Sequence, residues 1–139
     1  MTIFRHAADW SRKLYKNAKL SEHFKARELQ CRHCKRVYVT PLLMTMLEDI
    51  RERAGCPITI NSGYRCPTHN TNLNGAPGSK HMLGMAADIA VPDKHRQNPA
   101  KFLEICESVA KSVRGGYHYY PRGHFVHVDC WPYPPDRRW

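Results

Sequence analysis

The sequence predicts an α+β fold: a small antiparallel sheet with helices packed on it, in a chain of single-domain length. Three observations lead there. Two stretches repeat apolar residues at helical spacing between recognisable caps. Several short runs of β-branched and aromatic residues are bounded by turn residues. Finally, 139 residues with 42% hydrophobic content can bury a core without help. No run reaches the roughly 20 apolar residues that a membrane span needs, so a membrane-spanning protein is not expected.

The elements follow in chain order. Residues 1–19 read as a basic N-terminal segment preceding a domain over 20–139. In that segment Ile3, Ala7, Trp10 and Leu14 recur at helical spacing among Arg12, Lys13, Lys16 and Lys19. Thr40-Pro41 opens a helix, because proline suits the first helical position. Leu43, Met46, Leu47, Ile50 and Ala54 form its apolar stripe, and Gly55 ends it. Pro57 to Asn61 reads as a short buried strand stopped by Ser62-Gly63. Residues 62–80, rich in Gly, Asn, Pro and Ser, read as a long irregular loop, and loops of that length in compact chains are more often functional than accidental. Ala86 to Val91 returns to a strand. Asn98-Pro99 caps a second helix with Phe102, Ile105, Val109 and Val113 aligned, closed by Gly115-Gly116. Tyr117–Tyr120 and His124–Asp129, joined by Pro121-Arg122-Gly123, predict a hairpin.

The charge is uneven. Of the net +10, residues 1–36 contribute +7, ten Lys or Arg against three Asp or Glu. This pattern suits either a solvated amphipathic helix or an attachment surface for a polyanion. No helix-turn-helix, zinc-finger pair or base-stacking motif follows it, so a nucleic-acid partner is not expected. The opening residues also lack the unbroken apolar stretch of a secretion signal.

Chemistry concentrates in Ser79-Lys-His81-Met-Leu-Gly84-Met-Ala86-Ala-Asp88. On a straight helix His81 and Asp88 would be about 10.5 Å apart in rise, too far for ligands that sit roughly 2.0–2.2 Å from one ion. If His81 ends the loop and Gly84 turns the chain back, Asp88 on the next strand can face it. His124-Phe-Val-His127-Val-Asp129 offers a third ligand on a neighbouring strand. Two histidines, one carboxylate and an open fourth position form the pattern of a catalytic zinc.

The strings Ser62-Gly-Tyr-Arg65, Ser79-x-His81-x-x-Gly84-x-Ala86-x-Asp88-Ile89 and Phe125-Val-His127-Val-Asp129 together resemble the signatures of the zinc D-Ala-D-Ala carboxypeptidase family. That family also contains the vancomycin-resistance D,D-dipeptidases and the L-alanyl-D-glutamate endolysin peptidases of phages, and the Hedgehog signalling domain shares its fold. The resemblance runs from about Leu20 to Trp131. It implies a Hedgehog-like peptidase fold and one catalytic zinc ion bound by His81, Asp88 and His127. It also implies that Arg65 contacts the scissile carbonyl or its oxyanion, and that Ser79 and Tyr64 hold the substrate. Where dipeptidases and endolysins of the family place an acidic base, three residues before the last ligand, this chain has His124. Asp129 is the other residue available to move the proton, or to orient His127.

The resemblance implies a peptidase acting on the stem peptide of bacterial peptidoglycan, at a D-Ala-D-Ala or L-Ala-D-Glu type bond. Size, charge and the opening residues fit a monomeric phage or prophage lysis enzyme or a virion component. It would be made in the cytoplasm and would act on the anionic wall, with residues 1–36 as the attachment surface. The alternative is a non-catalytic zinc-containing module of the same fold. The six cysteines leave two readings open. Cys31-x-x-Cys34 is either half of a structural zinc site, completed from Cys56, Cys66, Cys106 or Cys130, or one side of a disulfide to Cys66. His6, His23, His33, His69, His95 and His118 read as surface or packing residues.

Overall fold

The computed structural model describes residues 17–132. The amphipathic pattern over residues 3–14 lies outside them. In order, the elements are helix α1 (Ala26–Leu29), helix α2 (Pro41–Ala54), strand β1 (Ile60–Ser62), helix α3 (Pro67–Asn72), strand β2 (Ala86–Ala90), helix α4 (Ala100–Ser112) and strands β3 (Tyr117–Tyr120) and β4 (Phe125–Asp129). Short 3-10 turns cover Lys80–Leu83 and Asp93–His95.

Helix α2 forms as its caps dictate. The Thr40 hydroxyl accepts the Leu43 N–H at 3.2 Å, and Gly55 closes the far end at φ 72°, a conformation costly for any residue with a Cβ. Its stripe of Leu43, Met46, Leu47 and Ile50 is buried. Helix α4 begins just after Pro99 and lies against α2, β3 and β4. The two stripes join Ile60, Ala87, Ile89, Val126 and Val128 in one core.

Two expectations are corrected. Residues 62–80 are not wholly irregular, because α3 forms within them. Pro67 occupies its first turn, and the Cys66 sulfur accepts the His69 N–H at 3.4 Å. Its sequence, Pro-Thr-His-Asn-Thr-Asn, has no apolar stripe to announce it. The strand expected at 57–61 forms at Ile60–Ser62 instead, since Pro57 has no N–H to give a ladder.

The sheet is antiparallel throughout, in the order β1-β2-β4-β3. Side chains alternate across it. Ala87, Ile89, Val126 and Val128 face the helices, which leaves Asp88, His127 and Asp129 on the opposite face. No helix among the described residues is long and apolar enough to cross a membrane.

Candidate metal centre

On that opposite face Asp88 of β2 and His127 of β4 are direct cross-strand partners. His81 arrives from the 3-10 turn, whose end at Gly84 has φ 69°. A Cβ on Gly84 would collide with the Tyr38 carbonyl oxygen, so the reversal needs glycine for both space and backbone conformation. The turn starts at Ser79, whose hydroxyl accepts the His81 N–H at 3.3 Å.

Three ligand atoms, one each from His81, Asp88 and His127, lie within 4.8 Å of one another, enough to hold a metal ion. His81 Nε2 is 3.3 Å and His127 Nδ1 3.2 Å from the same oxygen, Asp88 Oδ1. The far ring nitrogens are tied back. His81 Nδ1 is 2.8 Å from the Gly63 carbonyl, and His127 Nε2 is 2.8 Å from Asp129 Oδ2. Both partners only accept, so both far nitrogens carry hydrogens. In neutral rings the near nitrogens therefore present lone pairs toward the carboxylate, and the three converge on a point that calls for a cation. Such outward hydrogen bonds are how metal-binding histidines are held. The donor set of two imidazoles and a carboxylate is suited to zinc.

The electrostatics agree. Burial works against the charge on Asp88, yet the His127 and then the His81 ring beside it, donors to it when protonated, hold its carboxyl well below the usual range. Burial likewise opposes a charged His127, but hydrogen bonds to Asp129 and then Asp88 lift it above an ordinary histidine. Without a metal, this centre draws a proton.

The centre opens into a cleft of about 500 Å³. The loop carrying Asn74, Gly78 and Ser79 lines it, as do Tyr120 and Phe125, whose rings stack at 4.6 Å. Arg65 lines it as well. One guanidinium nitrogen donates to Asn70 Oδ1 at 3.0 Å; the other donates to Ser62 Oγ at 3.2 Å and lies 3.7 Å from Asp88 Oδ2. Among the described residues its buried Nε has no hydrogen-bond partner.

The remaining expected residues separate. Tyr64 does not line the cleft: it is buried edge-on against Tyr38 at 5.2 Å, and burial pushes its phenol up to about 12. Its N–H is bonded to the Leu29 carbonyl, which fixes that part of the chain against α1. Asp129 is fully buried and accepts from His127, from Gly116 N–H at 2.9 Å and from Trp131 N–H at 3.1 Å, so it orients His127. His124 is exposed on the β3–β4 turn at φ 51° and is not among the residues lining the cleft, although its neighbour Phe125 is. Expected as surface or packing residues, His33 and His69 stack on each other beside a cysteine cluster, with His33 Nδ1 3.6 Å from Cys66 Sγ.

Fold and site together define a single-metal centre at the floor of a substrate-sized cleft on an α+β sheet. A family model described as Peptidase M15 matches residues 18–129, most of the chain, and the chain belongs to that family. The zinc D-Ala-D-Ala carboxypeptidase of Streptomyces albus G is 48% identical to it over 50 residues, 34% of this chain. The matched stretch spans 20% of the length of that relative.

Proposed function

We propose that this protein is a zinc peptidase that hydrolyses a peptide bond of the peptidoglycan stem peptide. The observation that carries the reading is the convergence of His81 Nε2, Asp88 Oδ1 and His127 Nδ1 at a cleft that also holds a guanidinium. Membership of the Peptidase M15 family and likeness to a zinc D-Ala-D-Ala carboxypeptidase support it.

Zinc, held by His81, Asp88 and His127, would polarise the carbonyl and bring the pKa of a bound water to about 7. Arg65 is locked by Asn70 and Ser62 while staying open to the cleft. Its guanidinium would meet the charge that grows on the scissile oxygen, without reorganising at that moment. Ser79 lines the same cleft, placing a hydroxyl and the turn backbone where a substrate main chain or carboxylate would lie. The hydrogen bonds that occupy Asp129 make it a positioning residue for His127. His124, beside the cleft-lining Phe125, is then the residue we assign to proton transfer, through one water. A lysis or virion setting belongs to the same proposal, with the net +10 charge concentrating the protein on an anionic wall.

Digestion of purified peptidoglycan, read by mass spectrometry, tests this. The zinc-loaded protein should release terminal D-Ala or cut after L-Ala, whereas metal-stripped protein and His127→Ala should not. Intact wall from protein carrying zinc at this centre would overturn the peptidase and leave a zinc-containing binding module.

A further inference from the structure

A second donor cluster lies away from the cleft. The sulfurs of Cys31, Cys34 and Cys66 all lie within 4.8 Å of one another, and none is in a disulfide. Cys31 to Arg36 form a tight knuckle: Cys31 N–H donates to the Arg36 carbonyl at 2.7 Å, and Lys35 N–H to the Cys31 carbonyl at 2.9 Å. Lys35, just after the second cysteine, takes φ 63°, which brings Cys31 and Cys34 to one side of the turn. The opposing Cys66 caps α3, and His69 follows it by one helical turn.

Backbone amides already point at two of the sulfurs. Cys66 N–H donates to Cys31 Sγ and His69 N–H to Cys66 Sγ, each at 3.4 Å. At Cys31 burial is outweighed by such amide donors and the thiol falls below its ordinary value, whereas burial pushes the Cys34 thiol up to about 11. Two chain segments 35 residues apart thus bring a Cys-x-x-Cys pair against Cys66, and in sequence Cys66-x-x-His69 completes the spacing of a closed tetrahedral zinc site; His33, whose Nδ1 lies 3.6 Å from Cys66 Sγ, is the rival fourth donor.

We propose that Cys31, Cys34, Cys66 and His69 bind a second, structural zinc ion. Zn–S bonds of about 2.3 Å put tetrahedral sulfurs about 3.8 Å apart, inside the 4.8 Å that bounds the three sulfurs here. Binding displaces up to three thiol protons, leaving three thiolates and a neutral imidazole on the metal. The ion would pin the knuckle to the segment that begins with Arg65, one residue before Cys66. Its role is to hold the arginine loop in register with the sheet. It takes no part in hydrolysis.

Zinc content per chain, measured on reduced and desalted full-length protein by plasma mass spectrometry, tests this. Wild type should carry two ions, His127→Ala one, and Cys34→Ser one. Cobalt-substituted wild type should show intense sulfur-to-metal charge-transfer absorption that persists in His127→Ala, a readout that holds even if Cys34→Ser fails to fold. His69→Ala should lose the second ion on desalting, His69→Cys should retain it, and His33→Ala should leave it in place. A single ion that vanishes in His127→Ala, with no charge-transfer band, would overturn the site. So would a peptide map linking Cys66 to Cys31 or Cys34 by a disulfide in protein purified without reductant. Loss of the second ion in His33→Ala but not in His69→Ala would overturn the fourth ligand.

Discussion

The His81–Asp88–His127 centre and the Cys31–Cys34–Cys66 cluster each bring three donors within the same 4.8 Å, yet they are held in opposite ways. The first is set by strand register: Asp88 and His127 face each other across a ladder, and both rings are tied back from behind. The second hangs between a knuckle and the start of a six-residue helix, closed by bonds within loops. Backbone ladder bonds fix the first pair of donors, whereas loop and cap bonds alone fix the second cluster. On the two proposals made above, this is the difference between a centre that leaves a position open for substrate and one that is filled on all sides.

The sharpest way to break this contrast is to remove one ligand from each site. His127→Ala should reduce wall hydrolysis to background with little loss of fold, because the sheet does not depend on the ion. Cys31→Ser should lower the melting temperature more than His127→Ala does while leaving the cleft's own zinc in place. Thermal scans and metal counts on the two variants check this, and equal melting losses would erase the distinction. Next in size is Arg65→Ala. It should lower kcat by about 10²–10³-fold at nearly unchanged zinc content, as when one oxyanion donor is deleted. A KM increase at constant kcat would show instead that Arg65 only binds ground-state substrate.

Asp129→Asn probes the support behind the ligand. Its carboxylate accepts three hydrogen bonds in full burial. An amide group set against His127 Nε2 cannot serve both neighbours, so zinc affinity should fall roughly 10–100-fold. Titration with a competing chelator measures it, and unchanged affinity would mean that the ring is oriented by the strand alone.

How much of this the sequence showed follows the same division. The helix stripes, the Thr40 and Gly55 caps and the hairpin were legible because each is a local, periodic signal. The turn at Gly84 was legible because His81 and Asp88 could not share an ion on a helix. Helix α3 was not, since a short polar helix has no stripe, and only the fold selects Cys66, among the four cysteines the sequence offers, as the partner of the Cys31-x-x-Cys34 knuckle. A motif string does not show which of its residues enters a cleft: Arg65 lines it while Tyr64 packs against Tyr38. The sequence left the base undecided between His124 and Asp129. The three bonds that occupy Asp129, which lines the cleft, and the exposed turn that carries His124 are features that no spacing shows. Nor could spacing alone reveal which nitrogen of His127 faces the metal, which depends on Asp129 lying behind it.

The smallest expected effect concerns protons in the metal-stripped protein. His127 is raised above its ordinary value by its bonds to Asp129 and Asp88 despite burial, so its charged form stabilises the fold. That contribution is complete below the unfolded histidine value of about 6.5 and is lost as pH rises through the higher folded value. Asp88, depressed by the two histidines, contributes above its unfolded value of about 3.8 and loses that contribution as pH falls through the folded one. Metal-free protein should therefore be most stable between about pH 4 and about pH 6.5, and its melting temperature should fall toward about pH 8. Zinc competes with the same proton, so the gain in melting temperature on adding zinc should grow over that rise in pH. Metal-free His127→Gln should lack the decline. If its slope matched that of metal-free wild type, the Asp88–His127–Asp129 row would not be charged, and the centre's pull on a cation would rest on geometry alone.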